Sequence, residues 1–298
     1  MMQIGEGKNA SDAGARSYPF GVRRINDAAG AEISGLNLSQ PIGPELRDAL
    51  YDAILDHHVL VFRDQSLTKD QQARFAENYG ELENHVGRLR NGERYPTIND
   101  ITNVGDDGKP SRKAANRGPY FWHSDKSYHA IPSLFTMLHG IKVPTRGGET
   151  QFANTRRAHE ALPEKTKARI DGLMVEHSWE ANRIIVGEIP ATEEQKRERP
   201  PVTHPLVVTH PDTGAKSLYL GTHISHIHGM PREESAALVD ELMDHAAQPQ
   251  FRYDHVWQEG DFVMWDNRSL MHRGNMKYAI ESEPRVLQRT VIIGTRPV

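Results

Sequence analysis

Two spacings of apolar residues divide the chain. Leu46, Ala49, Leu50, Ala53 and Ile54 recur at intervals of three and four, which lays them along one stripe of a helix. Pro44 suits the first turn of that helix, where its missing N–H costs nothing. The unbroken apolar run Val59-Leu60-Val61-Phe62 predicts a short, fully buried strand. Thr68-Lys69-Asp70-Gln71 has the form of a capping box and opens a second helix, with Phe75, Ala76 and Tyr79 on its apolar side. Two further short strands are predicted at 22–25 and 31–36.

From about residue 97 the pattern turns mostly to strands, at 98–104, 120–123, 134–143, 173–179, 206–209, 217–220, 251–256, 262–265 and 286–293. Helical patches interrupt them at about 155–171 and 232–246. Many short strands, Gly/Pro turns and few βαβ alternations predict a mostly β architecture with flanking helices, an antiparallel sandwich or jelly roll. Residues 181–203 are long, polar and charged, and read as a mobile loop within one domain because strand patterning resumes at once. Residues 1–17, rich in Gly, Ala, Asn and Asp, read as a disordered tail without a signal peptide's apolar stretch. That leaves 18–298 as a single domain.

Composition then narrows the function classes. With 298 residues, 37% hydrophobic and 26% charged, the chain has the balance of an ordinary globular protein. A net charge of −4 gives no basic footprint for nucleic acid. No apolar run approaches the ~18 residues that a membrane span needs. Cysteine is absent, so any metal must sit on His, Asp or Glu, and thiolate zinc sites and iron–sulfur clusters are excluded. The cytosol is the default compartment. Oligomeric state is left open, with a homo-oligomer among the options.

His123 and Asp125, in Phe121-Trp122-His123-Ser124-Asp125, carry the most chemistry. On a strand, residues two apart point to one side, so one strand end offers an imidazole and a carboxylate to one ion. His272, in Leu270-Met271-His272-Arg273-Gly274, would complete a facial triad that leaves three positions of an octahedral ion open, which suits Fe(II) oxygen chemistry. The bland alternative is a hydrogen-bonded surface pair, and a His-x-Asp is weak by itself among 16 histidines. Arg285 and Arg289 lie four apart in an apolar strand and share a face. Buried arginines need anionic partners, either ligand carboxylates or internal Asp and Glu. His223, His226 and His228 sit close enough in sequence to suggest zinc; otherwise they line a pocket wall or satisfy loop backbone.

With those residues placed, the chain resembles the taurine/2,4-dichlorophenoxyacetate dioxygenase family of Fe(II)- and 2-oxoglutarate-dependent enzymes, most closely its aryloxyalkanoate branch. The resemblance rests on Trp122-His123-Ser124-Asp125, Gly147-Gly148-Glu149-Thr150, Ser217-Leu218-Tyr219-Leu220 with the His-rich turn after it, and Trp265-Asp266-Asn267-Arg268 through His272-Arg273-Gly274. It implies a double-stranded β-helix, with His123, Asp125 and His272 ligating Fe(II). It further implies that Thr150 and Arg285 hold the distal carboxylate of 2-oxoglutarate. Arg289 would meet the substrate's anion or help neutralise the co-substrate, and His223 would fall on the substrate side. Asp125 favours hydroxylation over halogenation, because the related halogenases lack that carboxylate.

The implied reaction hydroxylates a small organic anion, an aryloxyalkanoate cleaved to a phenol, consuming 2-oxoglutarate and O2 and releasing succinate and CO2. A taurine, alkyl-sulfonate or sulfate-ester dioxygenase is the alternative within the family. A zinc hydrolase and a non-catalytic jelly-roll binding protein are the rivals from other classes. Residues 84–118, with Arg112, Lys113 and Arg117, do not align with the family pattern.

Overall fold

A computed structural model describes residues 16–84, 97–115 and 117–298 of the chain. The tail expected at 1–17 lies outside the described residues except for Arg16 and Ser17. The largest sheet has seven strands, in the order Gly21–Arg24, Ala31–Ser34, Val59–Phe62, Phe262–Asp266, Ser133–Lys142, Val286–Ile293 and Ile98–Thr102. Every pairing in it is antiparallel except that of Ala31–Ser34 with Val59–Phe62.

The apolar run at Val59–Phe62 is unbroken because both of its faces are covered. Leu60 and Phe62 enter a core with Leu50, Ile54, Phe75 and Ala76 from the helices Pro44–His57 and Lys69–Glu77. Val59 and Val61 enter a second core with Phe152, Tyr253 and Leu270. These last residues come from a smaller antiparallel sheet of Arg252–His255, Thr150–Asn154 and Leu270–Gly274. A fully buried Leu, Ile or Phe contributes about 1.5–3 kcal/mol relative to exposure, so these two cores hold the sandwich together. A third core packs Leu238 and Leu242 of the helix Arg232–Ala246 on Ile170, Val175 and Leu218. The layers are those of the expected jelly roll with outer helices.

Several elements differ from the sequence expectation. The strand expected at 120–123 is a 3-10 turn at Gly118–Tyr120, where Pro119 cannot donate to a ladder, followed by extended chain. The helical patch at 155–171 breaks before Pro163 into Thr155–Glu160 and Glu164–Ile170. The loop expected at 181–203 carries two short helices, Trp179–Ile185 and Glu193–Glu198, capped by Ser178 and Thr192. The strands Thr150–Asn154 and Leu270–Gly274 have no counterpart in the apolar pattern, because inward polar residues, Thr150 and His272, interrupt the alternation. No helix among the described residues is long and apolar enough to cross a membrane.

The helix Pro44–His57 ends where His58 adopts φ 64 and donates its backbone N–H to Ile54 O at 2.7 Å. The buried imidazole contacts Ser269 Oγ through Nδ1 at 3.0 Å, and burial pushes its pKa down to about 4. The unfolded chain takes up that proton near 6.5, so between 6.5 and 4 the unfolded state binds more protons. The stability His58 contributes is therefore complete above 6.5 and is lost as pH falls toward 4, by at most about 3 kcal/mol. His58→Asn, which tolerates the left-handed backbone, is expected to flatten the fall of the thermal midpoint across that window. An unchanged pH slope would assign the acid sensitivity to other groups.

Candidate metal centre between the sheets

The two imidazoles expected in the triad are brought together by a pair of backbone hydrogen bonds. His123 N–H donates to His272 O at 3.0 Å, and His272 N–H donates to His123 O at 2.8 Å. Their ring centroids lie 4.3 Å apart. Chain packing is tight here: a Cβ on Gly221 would meet His123 Cα at 3.0 Å, and that glycine has φ 146. Asp125 opens a turn rather than continuing a strand, with Lys126 at φ 58 just after it. The same-side placement of His123 and Asp125 holds, although the supporting element is a single bridge and a turn.

The carboxylate is oriented by residues that spacing did not single out. Thr136 Oγ1 donates to Asp125 Oδ2 at 2.6 Å. Asn267 Nδ2 donates to that same Thr136 Oγ1 at 3.0 Å, fixing which way its proton points. Asn267 Oδ1 accepts from Trp265 Nε1 at 3.0 Å and from the Asp125 backbone N–H at 3.4 Å. Asn267 lies in the motif Trp265-Asp266-Asn267-Arg268, but its place as the hub of this network depends on strand pairing. Asp266 and Arg268 in the same motif pair with each other instead, at 2.8 Å.

The donor set fits a divalent cation. Ligand atoms of His123, Asp125 and His272 all lie within 4.8 Å of one another. His123 Nδ1 is 2.7 Å from Phe121 O, so that nitrogen donates and Nε2 keeps its lone pair toward Asp125 Oδ1, 3.7 Å away. His272 Nε2 lies 3.8 Å from Asp125 Oδ2. Burial holds both imidazoles below the ordinary histidine range and hence neutral. Burial opposes ionisation of Asp125 too, but the Arg289 guanidinium and the Thr136 hydrogen bond favour the carboxylate and keep it ionised. Two neutral imidazoles and one carboxylate are the form a metal binds.

On one side of this centre lies a cavity of about 150 Å³, lined by Tyr120, Leu138, Thr150, Trp265, Arg285 and Leu287 among others. Arg285 is 4% exposed; its Nε donates to Gly148 O at 2.9 Å and its Nη2 to Thr150 Oγ1 at 3.4 Å. Among the described residues no carboxylate lies within ion-pairing distance of it, which leaves a buried positive charge facing a cavity. Thr150 Oγ1 also accepts from Trp257 Nε1 at 3.0 Å, so its own proton is left to donate. The Gly147-Gly148 turn that delivers these groups has φ 74 and 70, and a Cβ on Gly148 would reach Pro144 Cγ at 2.7 Å.

On the other side a cavity of about 270 Å³ is lined by Lys126, Tyr128, Trp179, Arg183, His223 and Arg289 among others. His223 is buried against Tyr128 and His123, its Nδ1 is 3.0 Å from Ser127 Oγ, and burial pushes its pKa down to about 3. Lys126 is matched by Glu83 at 2.7 Å and Arg183 by Glu188 at 2.8 Å. Arg289 Nη2 sits 2.7 Å from Asp125 Oδ1, which is the internal ion pair weighed from the sequence. Arg289 lines both cavities.

The His-rich segment does not assemble a second metal centre. His226 turns to Glu176 and Ser225, and His228 Nε2 lies 3.0 Å from Thr203 Oγ1. Among the described residues the only such cluster is the triad. In the segment 84–118, Arg117 donates to Gly187 O at 3.3 Å just beyond the helix Trp179–Ile185, and Arg112 and Lys113 are exposed. Residues 85–96 and 116 lie outside the described residues.

Residues 21–291 match the family described as Taurine catabolism dioxygenase TauD, TfdA family. Over 274 residues the chain is 39% identical to the alpha-ketoglutarate-dependent 2,4-dichlorophenoxyacetate dioxygenase of Burkholderia sp. (strain RASC), covering 89% of this chain and 91% of that one. It is 33% identical to the (S)-phenoxypropionate/alpha-ketoglutarate-dioxygenase of Sphingobium herbicidovorans, with 86% and 90% covered. Among solved structures it is similar to AAD-2 in complex with Mn(II) and N-oxalylglycine, with a TM-score of 0.82, 37% identity and 93% and 98% of the two chains covered.

Proposed function

The chain belongs to the TauD, TfdA family of taurine catabolism dioxygenases, and on that footing we propose that it hydroxylates a small organic anion of the aryloxyalkanoate class. It is an Fe(II)- and 2-oxoglutarate-dependent dioxygenase. In this reading residues 18–298 act as one catalytic unit, and His123, Asp125 and His272 hold the iron. Fe(II), with 2-oxoglutarate and O2, supplies hydroxylation of a C–H bond, with succinate and CO2 as the co-products. Hydroxylation beside the ether oxygen of an aryloxyalkanoate gives a hemiacetal, which collapses to a phenol and a keto or aldehyde acid.

The observation that carries the proposal is the pair of cavities that meet at the triad, with Arg285 in the first and Arg289 lining both. On one side Arg285 offers a bidentate donor and Thr150 a hydroxyl to the far carboxylate of 2-oxoglutarate. On the other, Arg289 meets the substrate's carboxylate, with Tyr128 and His223 as an aromatic wall for its ring. Fixing both anions relative to the ligand atoms selects which C–H is attacked. The 2,4-dichlorophenoxyacetate and phenoxypropionate relatives favour the aryloxyalkanoate class.

A site built around a charge discriminates sharply against analogues lacking it, because its own charge is then left unpaired. The primary amide or methyl ester of an aryloxyacetic acid is therefore expected to lose most of kcat/KM. Arg289→Gln is expected to damage turnover of the acid far more than that of the amide. Equal rates for acid and amide in the parent enzyme would refute anion recognition. Faster succinate release with alkyl sulfonates or sulfate esters than with any aryloxyalkanoate would move the substrate class elsewhere in the family.

A further inference from the structure

Arg289 and a cation held by the triad must share one carboxylate. Arg289 Nη2 lies 2.7 Å from Asp125 Oδ1, the oxygen that faces His123 Nε2 at 3.7 Å. The other oxygen, Oδ2, already accepts from Thr136 at 2.6 Å. A permanent positive charge thus stands against the single anionic ligand of the site, where the Asp125 and Arg289 side chains are only 8% and 13% exposed. Two cations on one carboxylate repel each other, and a low-dielectric interior screens that repulsion poorly. Of the residues that line both cavities, Arg289 is the cation, while His123 and Asp125 are ligands and Pro119 is apolar.

We propose that Arg289 competes with the metal ion for Asp125, so that an anion bound to Arg289 in the second cavity tightens the metal. The competition follows from the ion pair itself; the coupling to the anion rests on the substrate reading given above. Once a substrate carboxylate takes up the guanidinium, the charge opposing the metal is neutralised and Asp125 Oδ1 turns fully to the ion. Linkage makes the effect reciprocal: the metal, by claiming Asp125, frees Arg289 for the substrate. Arg289 acts here as a positioning residue that makes a loaded metal site and a loaded substrate site favour each other.

The test uses Mn(II) as the probe, titrated anaerobically by calorimetry into the full chain and into Arg289→Gln and Arg289→Lys, each first shown to be folded by circular dichroism. The parent is expected to bind Mn(II) at least about fivefold more tightly with a saturating aryloxyacetate than without it, and to show no such gain with the amide. Arg289→Gln is expected to bind Mn(II) more tightly than the parent with no acid present, and to lose the response to the acid. Arg289→Lys, which keeps a cation near Asp125, is expected to stay close to the parent. Weaker or unchanged Mn(II) binding by Arg289→Gln would overturn the competition, and would mean that Arg289 serves to orient Asp125. A tighter Arg289→Gln with no response of the parent to the acid would leave the competition standing, overturn the coupling and count against the substrate reading.

Discussion

His272→Ala is expected to abolish substrate-coupled succinate release while leaving the chain folded. Of the three triad residues it is the most revealing to remove, because its ring Nδ1 makes no hydrogen bond within the protein. What the truncation disturbs is its ring packing on His123 and Trp265, at 4.3 and 4.6 Å between centroids. His123→Ala should also abolish turnover, while removing the hydrogen bond to Phe121 O. Asp125→Ala should do the same, but it leaves Arg289 as a buried unpaired charge, which costs about 3–5 kcal/mol of stability and blurs the reading. Turnover measured beside circular dichroism separates the two effects. Normal succinate production in all three variants would contradict the triad assignment.

Arg285→Ala is expected to raise the KM for 2-oxoglutarate strongly while the KM for the organic substrate changes little. Loss of a charged bidentate partner in a desolvated site costs about 2–5 kcal/mol, which corresponds to roughly thirtyfold to several thousandfold. Arg285 is well suited to this test because its existing partners are a carbonyl and a hydroxyl, so its removal strands no carboxylate. Arg285→Lys should recover part of the loss, since the charge returns without the fork geometry. An unmoved KM for 2-oxoglutarate in Arg285→Ala would place the co-substrate's far carboxylate elsewhere.

The sandwich was legible in the sequence wherever a strand is buried by apolar neighbours on one or both faces. Val59–Phe62, Phe262–Asp266 and Val286–Ile293 all emerged from their pattern. The site strands Thr150–Asn154 and Leu270–Gly274 did not, because a functional site replaces apolar inward residues with Thr and His. The triad residues were visible as a His-x-Asp and a distant His. The pair of backbone bonds that sets the two imidazoles side by side was not, since it joins positions far apart along the chain. Asn267 and Thr136 act on Asp125 from separate segments, and no local spacing encodes that. Arg289 was expected to meet an anion, either a ligand's or an internal one, and its described partner is Asp125, the carboxylate proposed to hold the metal. One face of a strand shows that a charge points inward but not which of two nearby anions it meets.

The most direct measurement incubates the chain with Fe(II), 2-oxoglutarate, O2 and an aryloxyacetate and follows succinate and phenol together. Equal amounts of the two are predicted, with both absent when either Fe(II) or 2-oxoglutarate is withheld. Phenol release with Zn(II) and no 2-oxoglutarate, or no succinate with any carboxylate, sulfonate or sulfate ester offered, would contradict the account.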